Sequence, residues 1–388
     1  MSFNLFTKAS RQNQSRFSFL LSRSFSHRSE SSKHSFGIAF DIDGVILLGN
    51  TPVGGSPSAL SRLYDAAGKL RIPYVFLTNG GGFPEAKRAF ELSQLLGINI
   101  SPSQVIAHPA HPNQQIKGVS IKGAHPSRSP CSLFENEFNT TITRFFYLRF
   151  ENEFIVAVGK GQPAAVMSEY GFKNVLSIDE YASLFENIDP LAPYKKWTTK
   201  LAAVQNAEFN EGAPRNDVFS ERIKAAFIVS DPVDWSRDIQ VLCDILKTGG
   251  LPGRNVGPQP HLYFANDDLE YQECSPCRIH HHPLEYASFG KPHPSVFKNA
   301  EIVIQQLVPQ IHGDPYNNAQ NLKTLYMIGD NPVVDIRGAR QTGHPWFSIL
   351  TRTGVFKGKG NHDKFPADLV VDTVEEAVDY ILTKECAS

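Results

Sequence analysis

Short apolar runs bounded by turn residues alternate along the chain with stretches whose apolar positions recur at helical spacing. Ile38 to Phe40 predicts a strand that ends on Asp41 and Asp43. From Ser56 to Leu70, Leu60, Leu63 and Ala67 fall on one helical face, with Ser56-Pro57 as cap and first turn. Ile72 to Leu77 predicts a buried strand that runs out into Thr78-Asn79-Gly80, and Pro84 to Leu96 a helix ending near Gly97. The rhythm resumes at Phe154: strand Ile155–Gly159, helix Pro163–Tyr170, strand Val175–Ile178, strand Ala225–Asp231, helix Ile239–Leu246 and strand His261–Asn266. The last part predicts a helix from Pro294 to about Val308 and strands Leu325–Asp330, Trp346–Leu350 and Asp368–Val371. A closing helix spans Val374–Leu382. Strand and helix in alternation predict an α/β fold with a doubly wound parallel sheet. The middle third reads as a second α/β unit inserted into the first.

The 388 residues are enough for two domains with sizeable cores. A composition of 41% hydrophobic and 20% charged residues is that of an ordinary globular protein. With a net charge of −1, bulk electrostatic binding to nucleic acid or anionic membrane has no support, and no nucleic-acid partner is expected. No apolar run approaches the ~18 residues of a membrane-spanning helix, so no transmembrane segment is expected. The five cysteines are scattered and odd in number, which argues against a disulfide framework. Residues 1–35 differ from the rest: Lys8, Arg11, Arg16, Arg23, Arg28 and Lys33 face a single acid, Glu30, in a serine-rich background. That is the composition of an organellar transit peptide, with mitochondrion favoured over chloroplast and a basic tail without address as the alternative.

Residues 116–149 show little periodicity, and Phe-Glu-Asn-Glu-Phe occurs at 134–138 and again at 150–154, so this stretch is read as an irregular insertion or a product of splicing. Cys274-Ser-Pro-Cys277 followed by His280, His281 and His282 has the ligand types of a zinc site. No second separated cysteine pair accompanies it, and three adjacent histidines cannot all face one ion. An exposed polar loop is the better reading.

The candidate chemistry lies at strand ends. Residues i and i+2 of a strand share a face, so Asp41 and Asp43 lie together if extended geometry persists, with Gly44 turning the chain away. Two such carboxylates repel, and a bound cation relieves the repulsion. Hard oxygen ligands suit Mg²⁺. An acidic turn would account for the same residues. Three further features follow in order: Thr78-Asn79-Gly80, Lys291 before Pro292, and Gly329-Asp330 with Asp335. In doubly wound sheets ligands bind beyond the carboxyl ends of strands, where these residues fall. Together they fit phosphoryl transfer to an enzyme carboxylate, which needs a nucleophile, a proton donor, hydrogen-bond donors around the phosphoryl oxygens, and positive charge.

These four motifs, in this order, resemble those of the haloacid dehalogenase (HAD) superfamily. The resemblance covers 36–108 and 285–388 as a Rossmann-like core. Residues 109–284 resemble the large inserted α/β cap of class IIA members. Ile328-Gly-Asp-Asn-Pro332, Asp335-Ile-Arg-Gly-Ala-Arg340 and Trp346-Phe-Ser-Ile-Leu-Thr-Arg-Thr-Gly-Val355 are most similar to the cat eye syndrome critical region protein 5 family, whose eukaryotic members are often mitochondrial. The resemblance implies that Asp41 is the nucleophile and Asp43 the acid and base. It implies that Asp41, Asp330 and the main-chain carbonyl of Asp43 hold Mg²⁺. Thr78, Asn79 and Gly80 would grip the phosphoryl group, Lys291 would screen charge, and Asp335 would brace Lys291 or the metal's waters. The activity implied is hydrolysis of a small phosphorylated metabolite, with a link to glycerophospholipid metabolism and a homodimer formed through the cap. The alternatives are a HAD-like binding or scaffold protein and a phosphotransferase. Irregular stretches at 108–149 and 272–288 depart from the family pattern where core passes into cap.

Overall fold

The computed structural model describes residues 35–107, 149–185, 188, 222–251, 256–265, 286–312 and 322–386. The transit-like segment but for Ser35, all of the 116–149 insertion but Arg149, and the Cys274–His282 stretch lie outside them. In chain order, the first part holds β1 (Phe36–Phe40), a hairpin of β2 (Leu47–Leu48) and β3 (Thr51–Pro52), and α1 (Ser56–Ser61). It continues with β4 (Tyr74–Leu77), α2 (Glu85–Leu96) and β5 (Val105–Ile106). The middle part holds β6 (Phe154–Val158), α3 (Pro163–Glu169), β7 (Asn174–Ser177) and α4 (Ile178–Ser183). After these come β8 (Ala225–Ile228), α5 (Trp235–Lys247), β9 (His261–Phe264) and β10 (Ala287–Ser288). The last part holds α6 (Pro294–His312), β11 (Thr324–Gly329), a π-helical turn at Pro332–Ile336 and α7 (Arg337–Thr342). The chain closes with β12 (Trp346–Thr351), β13 (Leu369–Val371) and α8 (Val374–Cys386).

The first and last parts share a six-stranded sheet, β13-β12-β11-β1-β4-β5, and the middle part forms a five-stranded one, β10-β9-β8-β6-β7. Every pairing within these two sheets is parallel. Parallel strands covered on both faces read as continuous apolar runs, which is what Ile38–Phe40 and Ile155–Val158 present. Strand β1 is the key to placement, because its two faces carry side chains of different size. Phe36, Ile38 and Phe40 join one cluster with Leu60 of α1, Leu92 of α2 and Val378 of α8. The other face offers only Gly37 and Ala39, and here α6 packs closely through Val303, Ile304 and Leu307. A Cβ on Gly37 would overlap Ile304. The small face therefore draws α6 over β1 and brings the residues just before that helix to the end of the strand.

Where local reading and structure differ, short polar contacts account for it. The helix expected over Ser56–Leu70 stops at Ser61. The Asp65 carboxylate accepts the N–H groups of Ala67 (2.9 Å) and Lys69 (2.8 Å), which folds the remainder into a turn. An unanticipated helix, α4, starts where Ser177 and Glu180 form a reciprocal capping box. Helix α5 begins at Trp235, ahead of the expected Ile239, because the Asp234 side chain caps it through the Arg237 N–H. Helix α6 runs past Val308 to His312 with Pro309 inside it.

Phe297 on α6 is fully buried, meets the Trp346 ring edge-on at 5.4 Å, and fills the space that Gly338 of α7 leaves open. Phe297→Ala is expected to lower stability by about 3–5 kcal/mol, read as a fall in the urea midpoint at unchanged slope.

Candidate active site

Strands β11, β1 and β4 are neighbours, and a polar residue follows each: Asp330, Asp41 and Thr78. The Asp41 N–H still donates to the Ile328 carbonyl (2.9 Å) and the Thr78 N–H to that of Ile106 (3.1 Å). The ladder thus runs one residue beyond each strand and fixes where the following side chain leaves it. Lys291 enters from the loop before α6. Its ammonium donates to Asp41 Oδ1 and to Asp335 Oδ1, both at 2.7 Å, and the residue is 1% exposed.

Other groups hold these three in place. Asn79 binds the Lys291 main chain at both ends of its carboxamide: Oδ1 accepts the Lys291 N–H (2.8 Å) and Nδ2 donates to the Lys291 carbonyl (2.9 Å). Asp335 sits on the π-helical turn, whose start Asn331 caps by accepting the Val333 N–H, and its Oδ2 accepts the Asn331 N–H (3.1 Å). Asp330 accepts the Val355 N–H at 2.6 Å. Glycine is required at 329 and 354, because a Cβ at the first would overlap Asp335 and at the second the Asp330 carboxylate. Thr78 Oγ1 accepts the Gly80 N–H (2.9 Å), which leaves its own O–H to donate elsewhere.

Electrostatically the cluster lacks positive charge. Burial pushes Asp41 up from the ordinary carboxylate range against the pull of Lys291. Burial raises Asp330 strongly, with the charges of Asp41 and Asp335 adding to it. Asp335 is pushed up to about 6, again by burial first and in spite of Lys291. For Lys291 burial works downward, yet Asp335 and Asp41 outweigh it and hold the ammonium above its usual value. The lysine is therefore charged, and three buried carboxylates share it. Carboxylate oxygens of Asp41, Asp330 and Asp335 all lie within 4.8 Å of one another. This all-oxygen set under-compensated by one lysine fits a hard divalent cation.

All eight residues singled out in the sequence (Asp41, Asp43, Thr78, Asn79, Gly80, Lys291, Asp330 and Asp335) line one cavity of about 270 Å³. Asp43 is half-buried there, and its Oδ2 lies 3.3 Å from where a Cβ on Gly80 would stand. The side-chain cluster consists of Asp41, Asp330 and Asp335, the last expected from the sequence to brace Lys291 or the metal's waters. The expected ligand from Asp43 is its main-chain carbonyl, which such a cluster does not contain. The sequence reading did not single out Asn50, Phe83, Arg88, Lys160, Ser230 and Asp231, which also line the cavity. The available signals were weak. Asp231 follows a strand and Lys160 stands between two glycines after another.

Residues 38–118 match the family model described as haloacid dehalogenase-like hydrolase, and residues 288–377 match a second, HAD-hydrolase-like one. The two matched segments are haloacid dehalogenase-like hydrolase domains. Among its relatives is a mitochondrial hydrolase of Saccharomyces cerevisiae, 26% identical over 395 residues that cover 92% of this chain and 97% of that one. Another is a cardiolipin synthase (CMP-forming)/mitochondrial hydrolase fusion protein of Schizosaccharomyces pombe. It is 30% identical over 373 residues, which take in 89% of this chain and 53% of the fusion. The solved structure of a possible sugar phosphatase of the HAD superfamily from Cytophaga hutchinsonii aligns with a TM-score of 0.52 at 15% identity, over 89% of this chain and 96% of that one. At that identity the likeness shows the shared fold, a Rossmann-like parallel core with a further α/β part.

Asn79→Ala would leave the Lys291 N–H and carbonyl buried without their partner, at about 1–3 kcal/mol for each group. The variant is expected to unfold at markedly lower urea concentration than the parent. Asn79→Asp, which keeps one of the two bonds, is expected to fall between them.

Proposed function

We propose that this hydrolase is a Mg²⁺-dependent phosphatase acting on a small phosphorylated metabolite through an aspartyl-phosphate on Asp41. The observation that carries the reading is the buried ammonium of Lys291 bridging Asp41 and Asp335 beside Asp330, all lining a cavity that Asp43 and Thr78 also line. Lys291 holds one oxygen of Asp41 and leaves the other for attack on phosphorus. The bond formed is Asp41 O–P and the bond broken is that between phosphorus and the ester oxygen, whose alkoxide takes a proton from Asp43. In the second half Asp43 takes a proton from water, the resulting hydroxide attacks phosphorus, and inorganic phosphate leaves as the Asp41 carboxylate is restored.

The Thr78 hydroxyl donates to a phosphoryl oxygen. Asn79 contributes by fixing the Lys291 main chain, so it is read as a positioning residue. Asp41 and Asp330, with the main-chain carbonyl of Asp43, would hold the cation, and Asp335 orients Lys291. When bound, Mg²⁺ supplies the positive charge that the carboxylate cluster lacks and that the phosphoryl oxygens require.

Two further features of the reading have separate support. The Arg- and Ser-rich residues 1–35 and the names of the two yeast relatives favour a mitochondrial location. The fusion of one relative to a cardiolipin synthase supports a place in glycerophospholipid metabolism, with a phosphorylated head-group precursor as substrate.

The test is turnover of p-nitrophenyl phosphate and a panel of phosphorylated metabolites with Mg²⁺ and with EDTA. Metal-dependent release of phosphate is expected, abolished in Asp41→Asn and lowered about 10²–10⁴-fold in kcat by Asp43→Ala. A folded protein that binds Mg²⁺ yet releases phosphate from none of these esters would overturn the reading.

A further inference from the structure

The two sheets meet at the cavity through bare main chain. The loop after β4 contributes Gly82, and the loop after β6 contributes Gly159-Lys160-Gly161. The Gln162 N–H donates to the Gly82 carbonyl at 2.6 Å. A Cβ on Gly82 would overlap the Lys160 carbonyl, and one on Gly161 would overlap the Gly82 carbonyl; both glycines have positive φ, +99° and +92°. On its other side the Lys160 N–H donates to the Asp231 carbonyl (2.8 Å), and the Ser230 hydroxyl donates to the Lys160 carbonyl (3.1 Å). The main chain of Lys160 is thus held from three directions at the point where the sheets touch. The contact is main chain against main chain, and the exposed Lys160 between its two glycines lines the cavity.

Charge within the cavity is divided in a matching way. The groups at the ends of β1 and β11 are acidic: Asp41, Asp43, Asp330 and Asp335 against Lys291. The groups from α2 and from the second sheet have the opposite balance, Arg88 and Lys160 against Asp231. The Arg88 guanidinium pairs with Glu91 one helical turn on, at 3.5 Å and with side-chain exposures of 20% and 34%. Such a part-buried i,i+3 pair at 3.5 Å is weak and easily given up to a ligand.

We propose that Lys160, with Arg88 of α2 lining the same cavity, is a specificity residue that binds a second anionic group on the phosphorylated substrate. This inference rests on the phosphatase reading and adds the class of substrate: a phosphomonoester carrying a further carboxylate or phosphate oxygen group a few bonds from the ester. The phosphoryl group lies at Asp41 and Lys291, and the second anion spans Arg88 of the first sheet's helix and Lys160 of the second sheet. The glycine contact keeps that span constant.

Two esters of the same size test it, 3-phosphoglycerate and glycerol 3-phosphate, which differ by a carboxylate in place of a hydroxymethyl group. For the full chain kcat/KM is measured on both with Mg²⁺, and for Asp41→Asn backgrounds the Kd of both by titration calorimetry. The parent is expected to prefer 3-phosphoglycerate. Lys160→Met is expected to cut that preference about tenfold through KM and Kd, and Lys160→Arg to retain it. An unchanged ratio in Lys160→Met, or equal losses on both esters, would overturn the proposal and leave Lys160 a structural role. Binding preference dependent on Lys160 without turnover of any ester would keep this inference and remove the phosphatase reading. Turnover without preference would do the reverse.

Discussion

One buried ammonium between two buried carboxylates sets the terms for the rest of the first sheet. Lys291, Asp41 and Asp335 are almost wholly removed from water, and Asp330 lies beside them at 2% exposure. Ion clusters of this kind do not stabilise a fold on balance, since desolvation of each charge offsets much of the attraction. Burial holds all three carboxylates above the ordinary range even with the lysine in contact. A cluster kept at that cost is a candidate for function. Much of the surrounding structure serves to hold it: Gly37 and Ala39 admit α6, Asn79 fixes the lysine main chain, and Gly329 lets the π-helical turn carry Asp335 inward.

How far this could be read in advance depends on the range of each interaction. The apolar runs that became β1, β4, β6 and β11 announced themselves, because parallel strands buried on both faces need little but apolar side chains. The polar residues at their ends were legible for the same reason, since a carboxylate after such a run has few places to go. Helix limits failed where a side chain competed with the backbone, as Asp65 does after α1 and Asp234 does before α5. Asn79 and Lys291 are 212 residues apart, and nothing local to either shows that one carboxamide spans the other's main chain. Lys160, Ser230 and Asp231 were out of reach for a related reason. Their strands were visible, but which strand ends face the first sheet is decided by contacts between Gly82 and Gly161.

The division of labour between the sheets follows from this. Under the proposed reading, chemistry falls to residues at the ends of adjacent strands of one sheet, β11, β1 and β4, and to Lys291 and Asp335 bonded to them. Residues from the second sheet reach the same cavity from a part joined to the first by the glycine contact and by the Tyr170 hydroxyl, which donates to Glu85. A fold arranged in this way can keep one reaction and change its substrate.

The contact also gives the two halves a physical route of communication. Gly82 belongs to the same short loop as Thr78, Asn79 and Gly80, so the segment that presents the Thr78 hydroxyl and clamps Lys291 is the one that the second sheet touches. The Lys160 and Gly82 carbonyls and two glycines meet there, with the Ser230 hydroxyl and the Phe83 ring beside them. Any displacement of the β6 loop must therefore be passed to the Thr78–Gly82 segment or break the Gln162 to Gly82 hydrogen bond. Under the proposed reading, a ligand held at Lys160 biases the position of the groups that act on its phosphate. Binding energy from the far end of the substrate then contributes to organising the reacting end, where it lowers the barrier to reaction as well as the dissociation constant.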